Sequence, residues 1–137
     1  MTSPISWRIQ SQSLLSVRQP RNAMHELSLM QFLGERVREV ATQQGAERVL
    51  VIHLRLGSLA GVDPDALRFA AEVVLAGTCA AGATLSIEEI QASLWCDPCA
   101  MEFAATAGCC DCPRCGTLSA RLLRGKELSL VSLDLIP

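Results

Sequence analysis

Two cysteine pairs, Cys96-Asp97-Pro98-Cys99 and Cys112-Pro113-Arg114-Cys115-Gly116, stand twelve residues apart. That spacing builds one tetrahedral four-cysteine zinc site. Each pair sits on a tight turn that aims two sulfurs at a common point. Proline sets the turn, and Gly116 can take the positive φ that brings backbone N–H groups toward a thiolate. Four protein ligands fill the coordination shell, so the site reads as structural rather than catalytic. A second register exists, because Cys109-Cys110-Asp111-Cys112 is also a C-x-x-C run. Cys112 with Cys115 is preferred, since that pair alone carries the Pro and Gly of a zinc knuckle. A disulfide framework would need an oxidising compartment, and no secretory segment is recognisable.

A chain of 137 residues with 50% apolar side chains can bury one core and a small appendage. There is no apolar run near eighteen residues, so no membrane span is expected, and a net charge of −2 argues against a protein built to bind phosphate backbones. The cytoplasm is the expected compartment.

Residues 1–23 differ from the rest: five Ser, Arg8, Arg18, Arg21, two Pro and no acidic residue. Ile5, Trp7, Ile9, Leu14, Leu15 and Val17 do not form the continuous stretch of a secretory peptide, although the Arg/Ser-rich composition is weakly transit-peptide-like. The segment is expected to be a disordered extension, with translation starting at Met24. Without its three arginines, 9 basic side chains face 14 acidic ones.

From Leu27 to Gln44, Met30, Leu33, Val37 and Val40/Ala41 recur at helical spacing, and Gly45 stops the helix. Residues 49–56 alternate, with Leu50, Ile52, Leu54 and Leu56 on the buried face. Asp63-Pro64-Asp65 supplies an N-cap, a proline at N1 and an anion for the helix dipole, ahead of Leu67, Ala70/Ala71 and Val74. Leu85 and Ile87 alternate, Glu88-Glu89 interrupts, and Ile90, Ala92 and Leu94 resume in opposite parity, which predicts a strand with a bulge at the glutamates. Strands over 118–123 and 128–136 follow the cysteines, joined by a turn at Arg124-Gly125-Lys126.

The predicted fold is therefore α+β: two helices packed on a small mixed three-stranded sheet, with an inserted four-cysteine zinc-ribbon-like lobe. The α+β domain comprises 24–94 plus 126–137, and the lobe 95–125. Trp95, Met101, Phe103 and Leu118 are too few to hold the lobe without metal.

Met24-His25-Glu26 lies directly before the first helix. A free Met24 amine, an imidazole and backbone amides would form a square-planar set suited to Ni(II) or Cu(II). The plainer alternative is that His25 and Glu26 only cap and charge a helix start. The Met-His-Glu-Leu-Ser-Leu start, the Arg55-Leu56-Gly57 run and the late Trp-Cys-x-x-Cys…Cys-Pro-x-Cys-Gly closely resemble the HypA/HybF nickel metallochaperones of [NiFe]-hydrogenase maturation, over 24–137. The resemblance implies a non-enzymatic α+β protein that delivers Ni2+ and holds a structural Zn2+. Implied partners are a hydrogenase-maturation GTPase, the [NiFe]-hydrogenase large subunit and urease maturation proteins, with no nucleic acid or membrane. It also implies nickel ligands at Met24, His25 and Glu26, with Asp63 a weaker carry-over against plain N-capping, and zinc ligands at Cys96, Cys99, Cys112 and Cys115. The extension departs from the family pattern, since with it attached Met24 has no free amine. His53 and Cys79 read as structural.

Two other classes compete. A zinc-ribbon nucleic-acid module would need a basic stripe, but residues 95–125 set Arg114, Arg121 and Arg124 against Asp97, Glu102 and Asp111. A rubredoxin-like iron electron carrier would use the same knuckles and be red. No nucleophile–base pair, phosphate-binding loop or open metal triad supports an enzyme.

Overall fold

A computed structural model describes residues 4–8, 26–105, 110–119 and 121–137. In chain order the elements are β1 (Ile5–Arg8), α1 (Glu26–Gln43), β2 (Arg48–Gly57), α2 (Pro64–Val74), β3 (Thr84–Ile90), β4 (Ser93–Cys96), β5 (Met101–Ala104), β6 (Leu122–Arg124) and β7 (Leu128–Ile136). They form a sheet in the order β1-β7-β2-β3 and a smaller sheet in the order β5-β4-β6.

Apolar residues of α1 at i, i+3, i+4 and i+7 drive it onto the large sheet. Met30, Leu33, Val37, Val40 and Ala41 are buried with Ile52, Leu54 and Leu56 of β2 and Leu130, Leu133 and Leu135 of β7. The helix closes on Gly45 at φ 65°, where Ala46 N–H donates to Ala41 O and Gly45 N–H to Thr42 O. That is a Schellman cap, and it needs a residue that accepts positive φ. In α2, Asp63 accepts the N–H of Asp65 at 3.0 Å, and Leu67, Ala70 and Ala71 face the core. Gly34 lets the helices meet, since a Cβ there would stand 3.3 Å from Val74 Cγ1.

β2 and β3 are parallel with α2 between them, while β7 runs antiparallel on the other side of β2. The mixed three-stranded sheet is thus present, with a fourth strand added by residues 5–8. The expected disorder of 1–23 is corrected there: Ile5 pairs with Leu135 and Trp7 with Leu133, and Trp7 packs against the main core. Four residues are enough because β7 supplies a ready ladder and Trp7 a large apolar surface.

Two further expectations are corrected. Val49, not Leu50, is the first buried residue of β2, because the pairing with β7 slips between Val49 and Val51 and reverses the side-chain parity. No bulge occurs at Glu88-Glu89, whose pairing with β2 runs unbroken to Ile90. The parity change at 90–94 arises because the chain leaves one sheet there and enters the other.

The two chain crossings between the sheets are clamped by the turn after β2. Ser58 N–H donates to Ile90 O at 2.9 Å and Leu59 N–H to Gly125 O at 2.7 Å, while Ser58 Oγ accepts Ala92 N–H at 2.9 Å. Gly57 abuts the Gly125 carbonyl so closely that a Cβ would overlap it, and Gly125, at φ 119°, abuts Ala92 in the same way. The lobe is therefore joined to the domain by backbone in direct contact with backbone.

Candidate metal centre

The first knuckle is the turn of the β4–β5 hairpin. Cys96 ends β4 opposite Met101, and Ala100 N–H closes the turn on Asp97 O at 3.2 Å. Ala100 takes φ 49°, the same left-handed region that Gly116 takes at φ 74° in the second knuckle. Each knuckle thus needs positive φ just after its second cysteine, and the first meets the need without glycine. In the second, Gly116 N–H donates to Cys112 O at 2.8 Å and Cys112 N–H to Thr117 O at 3.0 Å. The knuckles dock where Trp95 N–H donates to Arg121 O at 2.9 Å and the Ser119 hydroxyl donates to Trp95 O.

This docking brings the sulfurs of Cys96, Cys99, Cys112 and Cys115 within 4.8 Å of one another, with Cys96 and Cys115 at 3.5 Å. The separation is far beyond a disulfide bond. It approaches the edge of a tetrahedron of sulfurs around zinc, about 3.8 Å for metal–sulfur bonds near 2.3 Å. Four sulfurs this close cannot all carry charge unaided. The Thr117 hydroxyl and backbone hold the Cys115 thiol down to about 6, and a neighbouring bond from Cys115, with burial, pushes Cys99 up to about 12. At Cys96 the Cys99 backbone N–H favours the thiolate, but burial and the sulfurs of Cys115 and Cys112 outweigh it and raise the pKa. A soft cation at the centre removes this conflict and allows all four thiolates.

The metal centre is also the core of the lobe. Its buried cluster is Leu94, Cys96, Phe103 and Cys112, so half of it consists of candidate ligands. Leu118, expected inside, is 75% exposed and forms only an isolated bridge with Asp111, which shortens the expected strand to Leu122–Arg124. Cys110 is exposed, and Cys109 lies outside the described residues. Thr117 and Ala100 were not singled out in the sequence; their signal is position, two residues and one residue past a knuckle cysteine.

The starts of the two helices meet. Asp63 N–H reaches Glu26 Oε1 at 3.4 Å, so the first turn of α1 touches the N-cap of α2. Asp63 spends Oδ1 on the cap. Met24 and His25 lie outside the described residues. His53 is not a member of the cysteine cluster and pairs with Asp134 Oδ2 at 3.2 Å across the sheet, a partner 81 positions away. Cys79 is half-buried against the main core, and its carbonyl accepts Val49 N–H at 2.9 Å. No helix among the described residues is long and apolar enough to cross a membrane.

Residues 24–135 match the family described as hydrogenase/urease nickel incorporation, metallochaperone, hypA. The hydrogenase maturation factor HypA of Roseiflexus sp. (strain RS-1) is 42% identical over 112 residues, covering 81% of this chain and 91% of the relative. The hydrogenase maturation factor HybF of Klebsiella pneumoniae is 40% identical over 113 residues, covering 81% of this chain and 98% of its own. The solution structure of the Ni metallochaperone HypA from Helicobacter pylori superposes with a TM-score of 0.59 at 23% identity, covering 82% of this chain and 98% of that one, a likeness of fold. With a four-cysteine metal site in a lobe clamped onto an α+β domain, and relatives that span nearly their whole length, the chain belongs to the HypA family of nickel-incorporation metallochaperones.

Proposed function

We propose that this protein carries Ni(II) to an apo-hydrogenase, and holds a structural zinc ion at Cys96, Cys99, Cys112 and Cys115. The observation that carries the reading is the division of labour in the chain. One cluster is closed by four sulfurs and forms the core of its own lobe, leaving no open position for cargo. The other lies where α1 begins: the family match starts at Met24, and Glu26 of that run touches Asp63.

Nickel is the cargo. His25, Glu26 and the backbone amides beside them would hold it, with Asp63 adjacent and with the Met24 amine where that amine is free. Few ligands near a helix start suit release, because a receiving site can complete the shell and take the ion. Zinc supplies the lobe with the cross-link that its small core lacks. We assign the receiving partners to the hydrogenase large subunit, a maturation GTPase and urease maturation proteins, in the cytoplasm, with no catalysed reaction.

A nucleic-acid reading gains nothing from the lobe, since Arg121 pairs with Asp97 at 3.6 Å and Arg124 with Glu102 at 2.9 Å. The test is hydrogenase activity in cells whose own copy is deleted. The native chain should restore it at low nickel, His25→Ala should not, and excess nickel should bypass the need. Full restoration by His25→Ala at low nickel would refute the carrier reading.

A further inference from the structure

The four sulfurs of the metal centre share one point but differ in access. Cys96 and Cys112 are 1% and 2% exposed and belong to the buried cluster of the lobe, and Cys99 is half-buried against that cluster. Cys115 alone of the four is exposed. The difference follows from where each residue stands. Cys96 ends β4, the central strand of the small sheet, and Cys112 is bonded back into the second knuckle through both its N–H and its carbonyl. Cys115 lies in a run of exposed residues, 113–118, that forms the tip of that knuckle. Its sulfur has Thr117 Oγ1 at 3.2 Å and Cys96 Sγ at 3.5 Å for neighbours.

A reagent arriving from water attacks the thiolate that it can reach, since displacement needs a free approach to sulfur. Buried thiolates of the same cluster are shielded until the site opens. We propose that Cys115 is a modification site, the sulfur at which a hydroperoxide enters the metal centre, with Cys96 as the resolving thiolate. The inference rests on the reading of the four cysteines as a zinc site.

The chemistry balances without a further reactant. The Cys115 thiolate attacks one peroxide oxygen, so that an S–O bond forms as the O–O bond breaks; sulfur loses two electrons to the peroxide, and the hydroxide that leaves is protonated by water. Cys96 Sγ, the neighbour at 3.5 Å, then attacks the Cys115 sulfur. The S–S bond forms as the S–O bond breaks, and a second hydroxide leaves and is protonated. Only Cys99 and Cys112 remain as ligands, too few to hold zinc. The disulfide joins the two knuckles, so a covalent cross-link takes the place of the metal, and a reducing thiol restores the original site.

The experiment treats the full zinc-loaded chain and its Cys109→Ser/Cys110→Ser variant with hydrogen peroxide, following zinc release with a colorimetric chelator and mapping disulfides by mass spectrometry. The variant keeps all four ligands and removes Cys110, which is exposed but outside the cluster, together with Cys109. Both proteins should release one zinc ion per disulfide at the same rate, the disulfide should be Cys96–Cys115, and dithiothreitol with added zinc should reverse the change. Limiting iodoacetamide gives a second reading on the zinc-loaded variant: among the four ligands, Cys115 should take the first label. A first label on another ligand, a disulfide confined to one knuckle, or slower release in the variant would overturn the inference while leaving the zinc site standing. Zinc content measured before treatment separates the two readings, because a chain that binds no zinc at the four cysteines would refute the site and this inference together.

Discussion

Replacing Gly57 with alanine tests the joint between lobe and domain, because at this position all of the cost comes from contact. Gly57 lies in β2 and is not among the residues with positive φ, so alanine meets no backbone strain. Its Cβ would overlap the Gly125 carbonyl and stand 2.7 Å from Lys126 N. Both are backbone atoms and cannot swing aside. Separating the strands enough to admit a methyl breaks two hydrogen bonds, Gly57 N–H to Glu127 O and Leu59 N–H to Gly125 O, each 2.7 Å. At about 1 kcal/mol per bond and about 1–3 kcal/mol for overpacking, the loss is about 3–5 kcal/mol. That is a large share of the stability of a domain this size, and it should lower Tm by about 10–18 °C. Urea titration followed by far-UV circular dichroism measures it. Gly45→Ala is the internal control: φ is 65° there, but nothing lies within 4 Å of the added Cβ, so only about 1–2 kcal/mol of left-handed strain is expected. Equal, small losses in the two variants would refute the close crossing of the chains.

Three further outcomes follow from the same geometry. If the four-cysteine site holds zinc as proposed, chelation or Cys112→Ser would remove a cross-link worth on the order of 10 kcal/mol from a lobe whose buried cluster is half cysteine; Trp95 fluorescence should change while the helical signal persists, and joint loss of both would contradict a metal-held lobe. Gly116→Ala should destabilise the lobe by about 1 kcal/mol, whereas Ala100→Gly should be neutral or slightly stabilising, since φ 49° already strains alanine; urea midpoints of zinc-loaded protein compare them. Asp63→Ala removes the cap of α2 and should cost about 1 kcal/mol, read as a Tm fall of a few degrees; an unchanged Tm would mean that the 3.0 Å bond to Asp65 N–H contributes nothing.

Much of this molecule is written in local pattern. α1 was legible because five apolar positions recur at one period and Gly45 closes the helix; α2 because Asp63 and Pro64 mark its start. The four cysteines announced themselves by spacing, and the structure draws their sulfurs together. What was illegible depends on partners distant in sequence. The parity change at 90–94 looks like a bulge until β4 is seen to belong to another sheet, and the reversal at Val49 is a property of its pairing with β7. β1 is too short to show alternation, and only the open edge of β7 gives Ile5 and Trp7 their meaning. Leu118 was expected in a core that the cysteines themselves supply.

The most direct measurement is a calorimetric titration of zinc-loaded protein with Ni(II), comparing residues 24–137, the 1–137 chain and a His25→Ala variant. The account predicts tight uptake of a single nickel ion by the chain beginning at Met24, weaker binding when residues 1–23 block the amine, and loss of the site in His25→Ala. Equal binding by all three would contradict it, removing His25 and the amine from the site and leaving the four cysteines as the one cluster of candidate metal ligands among the described residues.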